Sequence, residues 1–201
     1  MGIAFIQPIH AETLNLKNDN RGIPEWSQKT YNGSVESTSL LRWKPCTPIR
    51  YTIDVTDAPM DWVHDIHDAF KAASVATGIP ISYAGRWESG KLHTNRDPVL
   101  IYYKDDPDWA VNRAIGYTQV YKNSSGRRII GGYIIVNPAV NNTSHEIHMR
   151  MMWHEVGHIF GLPHPGSRYA SLSVMGAARP PYKAFDQWMF NLVGRQPGEC
   201  R

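Results

Sequence analysis

Residues 143–161 read TSHEIHMRMMWHEVGHIFG, followed by Leu162, Pro163 and His164. Thr143 with Glu146 makes a capping-box pair and Gly161 a stop, so the stretch predicts one helix interrupted only by Gly157. His154 and His158, four apart, stand one turn above the other on the stripe shared by Ile147 and Met151, with both imidazoles facing the same way. At that separation two ring nitrogens reach one ion. Glu155 lies about 100° around the helix from His154, beside the ion and not on it, where a carboxylate can hold a proton taken from water. A tetrahedral site needs a third ligand from another direction. Gly161 permits a sharp turn, since only glycine takes positive φ without penalty, and Leu162-Pro163 then leads His164 back. Three neutral imidazoles plus a water describe an open catalytic zinc site, not a closed structural one.

The rest of the chain sets the frame for this segment. At 201 residues the protein has room for one domain with its own core, or a domain with a short extension. Its 21 Lys and Arg against 18 Asp and Glu leave +3, too small an excess for a polyanion-binding surface unless clustered, and the one cluster is Arg127-Arg128. Nucleic acid is therefore not an expected partner. No apolar run approaches the roughly 18 residues of a membrane span. Nine histidines are the one unusual count, and the spacing of three of them explains why.

Pro48 to Val55 alternates Ile49, Tyr51, Ile53 and Val55 with polar residues, a half-buried strand. From Met60 to Thr77 the period lengthens and puts Val63, Ile66, Phe70, Ala73 and Ala76 on one helical face, with Asp57 near the start and Gly78 as the stop. His64 and His67 sit among Asp61, Asp65 and Asp68 on what reads as a solvated face. Ile79 to Ala84, Val99 to Tyr103, Ile115 to Tyr121 and Gly132 to Val136 are four further strands, with a turn-rich loop from Gly85 to Pro98. Tyr182 opens a last helix through Phe185, Trp188, Met189 and Leu192. The expected class is α+β (mixed α/β), a five-stranded sheet followed by helices.

Residues 1–44 read as an N-terminal extension and 45–201 as the folded domain, because 12–44 are polar and turn-rich without periodicity. Met1 to Ala11 carries an apolar stretch shorter than the roughly 7–15 residues of a signal h-region and no preceding basic residue. A truncated signal and an ordinary N-terminus both fit. Cys46 and Cys200 stand at the two ends of the domain, where a bridge would close nearly all of it and would favour a secreted, oxidising setting. Two unpaired thiols, or Cys46 as a thiolate occupying the metal site, remain the alternatives.

The signature His154-Glu155-x-x-His158-x-x-Gly161-x-x-His164 resembles the long zinc-binding motif of the metzincin metallopeptidases, and the approach to it resembles matrixin catalytic domains. Ser173-Val174-Met175-Gly176 is similar to the family's Met-turn, which makes Met175 an apolar floor beneath the imidazoles and not a ligand. Pro165-Gly166 and the Ser-Val-Met run look more like serralysins, yet Ala177 stands where their Met-turn tyrosine belongs and their calcium repeats are absent from the sequence. The additional ligands of the matrixin structural zinc are not recognisable between Asp105 and Asn137, nor is a matrixin-style propeptide switch. The resemblance implies a zincin fold with a twisted mixed sheet, active-site helix, Met-turn and C-terminal helix, and one catalytic Zn²⁺, with Ca²⁺ left open.

It also implies a zinc-dependent endopeptidase, a monomer acting on protein or peptide substrates. Zinc lowers the pKa of its water and polarises the scissile carbonyl, while Glu155 serves as general base and returns the proton to the leaving amine. In the family the substrate lies along an edge strand, here Ile115 to Tyr121, which puts Gly116, Tyr117 and Thr118 in contact with it. Ala177 to Tyr182 walls the prime-side pocket, and Tyr182 is either an oxyanion contact or a core tyrosine. A zinc-containing binding protein without catalysis and an exopeptidase on the same scaffold are the competing readings. The first leaves the Glu155 carboxylate without a use.

Overall fold

The computed structural model describes residues 41–56, 58–59, 62–88, 92–94, 96–104, 115–126, 128–165 and 167–194. Along them run β1 (Arg42–Trp43), β2 (Ile49–Ile53), α1 (Val63–Thr77), β3 (Ile81–Arg86), β4 (Val99–Tyr103), β5 (Gly116–Lys122), β6 (Arg128–Val136), α2 (His145–Ile159) and α3 (Ala184–Val193). The class is mixed α+β, as the alternation of periods predicted.

The strands form one sheet in the order β3-β2-β4-β6-β5, parallel except for β5, which runs antiparallel to β6. All five predicted strands are present, and β1 adds a sixth by pairing Arg42 with Arg128 and Trp43 with Ile129. β4 is an interior strand. Its run of Val99, Leu100 and Ile101 is buried without alternation, as expected where both faces are covered. β5 is an edge strand, and among the described residues it pairs only with β6.

α1 turns Ile66, Phe70 and Ala73 into the core, where Phe70 stacks on Tyr51 of β2 with ring centroids 4.1 Å apart. It ends at Gly78, whose φ of 67° lets its N–H reach back to Ser74 O. The predicted start at Met60, with Asp57 and Asp61, lies outside the described residues. Part of the polar face of α1 is not solvated as predicted. His64 and Asp68 are exposed, but Asp65 is buried and the half-buried His67 places Nδ1 2.7 Å from the Tyr51 hydroxyl.

α2 starts one residue later than the capping-box reading. Ser144, not Thr143, is the N-cap and accepts from Ile147 N, because the Thr143 hydroxyl is already given to Val140 O of the preceding 3-10 turn (Pro138–Asn142). The helix lies across β5 and β6. A side chain at Gly132 of β6 would run into Ile159 of α2 and into Gln119 O. α3 packs Phe185, Met189, Phe190 and Val193 inward, with Phe190 edge-on to Tyr182 and Phe160. Leu192, predicted on that face, is exposed in favour of Phe190.

The folded body begins before residue 45. Leu41 is buried, Trp43 Nε1 donates to Ile159 O at 2.6 Å, and the Arg42 guanidinium donates to Gly194 O at 2.8 Å. Those carbonyls are the unsatisfied ends of α2 and α3, so this segment caps two helices at once. A two-residue strand carries too little period to be read from sequence. The rest of the predicted extension, 1–40, lies outside the described residues.

Candidate metal centre

His154 and His158 project from the last turns of α2, and His164 returns from the turn that follows. Gly161 takes φ 95°, and a Cβ there would sit 2.6 Å from Leu41 O, so both conformation and space require glycine. Leu162, fully buried, anchors the returning segment, and its N–H donates to Gly157 O.

His158 Nδ1 lies 2.7 Å from Leu162 O and His154 Nδ1 3.1 Å from Val174 O. A carbonyl can only accept, so each Nδ1 carries the proton and donates it. Nε2 of each ring is then unprotonated and can only accept. The Nε2 atoms of His154, His158 and His164 form a triangle with sides of 3.0, 3.2 and 3.2 Å. The unprotonated Nε2 atoms of His154 and His158, 3.2 Å apart, repel one another, and a cation beside them removes the repulsion. The group could hold a metal ion. Burial pushes the His154 imidazole down to about 4, helped by His164 beside it, and lowers His158 and His164 in the same direction. All three are therefore neutral, as ligands must be.

Glu155 points from α2 toward β5. The Thr118 hydroxyl donates to Glu155 Oε2 at 2.6 Å, while Oε1 lies against Gly116, where a Cβ would stand 2.9 Å away. Burial raises the Glu155 carboxyl to about 7, with the Thr118 hydrogen bond opposing the shift. The carboxylate is thus held between α2 and the edge strand β5. No protein-family model and no curated protein matches the chain.

Met175, in the turn read as a Met-turn, is buried against Gly157 of α2. A Cβ on Gly157 would collide with Met175 Sδ, which accounts for a glycine in mid-helix despite a cost of about 1 kcal/mol relative to alanine. The turn is pinned by Asp186 of α3, a residue the sequence reading did not single out. Asp186 accepts the Ser173 hydroxyl, Val174 N at 3.0 Å and Lys183 N at 2.8 Å, and Met175 N donates to Ser173 Oγ at 3.0 Å. Its only sequence signal is an acid in the first turn of a predicted helix, which says nothing of the distant turn it holds.

Of the other residues predicted to meet substrate, Gly116 and Thr118 lie at Glu155. Tyr117 is exposed on the opposite face of β5 and donates to Gln119 Oε1. Of the two alternatives for Tyr182 the structure has the core one, buried with its hydroxyl donated to Trp153 O, so its proton is already committed there. Gly166, Arg127 and the 105–114 segment lie outside the described residues, as does Cys200, the predicted partner of Cys46. Among the described residues no cysteine is free.

α2 carries a second histidine group that sequence reasoning left without a role. His148, fully buried, places Nδ1 3.0 Å from Asp65 Oδ2 and Nε2 2.8 Å from the Tyr103 hydroxyl, under the ring of Trp62. His145 reaches the same carboxylate from the surface at 2.8 Å. These contacts join α1, α2 and the end of β4.

Proposed function

We propose that the protein is a zinc-dependent endopeptidase of metzincin type, secreted, with His154, His158 and His164 as ligands and Glu155 as general base. The observation that carries the reading is the convergence of three imidazole Nε2 atoms within 3.0–3.2 Å of one another, with Glu155 next in sequence to one of them. Tetrahedral zinc with bonds of 2.0–2.1 Å asks for nitrogens about 3.3 Å apart, close to the 3.0–3.2 Å sides of the triangle. When bound, zinc supplies Lewis acidity, polarising a carbonyl and acidifying a water.

The chain's own residues do the remainder. Glu155 takes the proton of the attacking water and delivers it to the leaving amine, a carboxyl with its pKa near 7 being able to do both. The outer edge of β5 offers N–H and C=O groups to an extended peptide, and pairing along a strand suits a chain that runs through the cleft. Met175 and Val174 keep the floor apolar and His154 oriented.

The test is metal content of the purified protein together with cleavage of a denatured protein substrate, with and without a chelator. Expected are about one zinc per chain, cleavage abolished by chelation and restored by zinc, and loss of about 100-fold or more in kcat for Glu155→Gln with zinc retained. Stoichiometric zinc with no Glu155-dependent cleavage overturns the reading in favour of a binding protein.

A further inference from the structure

Thr118 lies on β5 opposite Ile134 of β6, facing α2. Its hydroxyl is 2.6 Å from Glu155 Oε2 and 3.1 Å from Glu155 O. One hydroxyl has one proton, and the shorter contact falls within the range of a charge-assisted bond to a carboxylate. Thr118 is buried and β-branched, so its χ1 is stiff and the position of Oγ1 is set by the strand. The remaining oxygen, Oε1, has Gly116 before it, where a Cβ would meet it at 2.9 Å and Met151 Sδ at 2.7 Å. The carboxylate is therefore fixed at one oxygen by a donor and given room at the other by a missing side chain, and both devices come from the same edge strand.

We infer that Thr118 is a positioning residue for the Glu155 carboxylate, with Gly116 leaving space for the other oxygen. This rests on the peptidase reading above. It also shifts Thr118 from the substrate contact predicted from sequence to a role that acts through Glu155. Since the same strand offers its edge to substrate, a peptide paired on β5 and the carboxylate that serves it share one frame of reference.

Thr118→Val keeps the shape and removes the donor, and Thr118→Ser keeps the donor. With zinc content and melting temperature measured for each, Thr118→Val is expected to lower kcat about 10- to 100-fold with KM within about twofold, the size of loss that small misplacements produce, and Thr118→Ser to recover most of it. Crystal structures of both variants without metal supply a second readout, in which Glu155 keeps one rotamer while the serine hydroxyl is in place and leaves it when valine is present. An unchanged kcat and an unmoved Glu155 in Thr118→Val overturn the inference and leave the peptidase reading standing. If the unaltered protein shows no Glu155-dependent cleavage, the peptidase reading fails, and the rotamer comparison alone decides whether Thr118 positions the carboxylate.

Discussion

α2 bears two histidine groups, one at each end, and they are built on opposite plans. At the N-terminal end His148 is closed: Asp65 holds one ring nitrogen and Tyr103 the other. At the C-terminal end His154 and His158 each give Nδ1 to a backbone carbonyl and turn Nε2 toward the other imidazoles. His148 and His158 are both buried. The difference is which nitrogens are satisfied, and it separates a histidine that ties elements together from one that can bind an ion.

The comparison breaks first at the ligands. His158→Ala is expected to cut zinc affinity by more than the roughly 10- to 100-fold that loss of an outer partner costs, read as zinc remaining after dialysis against metal-free buffer. His148→Ala is expected to keep zinc at one per chain yet to cost about 2–3 kcal/mol in urea unfolding, because Asp65 and Tyr103 lose a buried partner. Zinc lost from His148→Ala with stability intact would reverse the assignment of the two ends.

Gly161→Ala sharpens the open plan by disturbing a support instead of a ligand. Its positive φ and its approach to Leu41 O predict a loss of about 2 kcal/mol, or a melting temperature lower by about 5 °C, with weaker zinc binding because Leu162 O no longer meets His158. Asp186→Asn removes the charge from the anchor of the Val174 turn, for a loss of about 1–2 kcal/mol and a modest fall in zinc affinity through His154. The smallest effect belongs to Met175→Leu, volume-conserving and costing less than about 1.5 kcal/mol; calorimetry should find zinc binding within a few-fold of the unaltered protein, and a complete loss would make Met175 a ligand after all.

Much of the open plan was legible because it is local. The i, i+4 spacing of His154 and His158, the glycine stop and the return to His164 all lie within eleven residues, where helix geometry alone fixes what faces what. The strands and helices were legible from period for the same reason. The closed plan was not, since Asp65 and His148 are 83 residues apart and meet only because α1 and α2 pack side by side. Asp65 was read as solvated from its acidic neighbours, although its own place on the helix turns it inward. Thr118 and Asp186 show the same limit: each acts on a residue of another element, and no periodicity within its own stretch records that partner.

Leu41–Trp43 gives the N-terminal stretch a boundary with chemical meaning. Proteolytic trimming that stops upstream of Leu41 leaves the caps on α2 and α3 intact, whereas a cut after Trp43 exposes Ile159 O and Gly194 O and removes the backbone against which Gly161 is seated. Since that glycine turn delivers His164, how far the N-terminus can be shortened is tied to the placement of an imidazole more than 120 residues further along the chain.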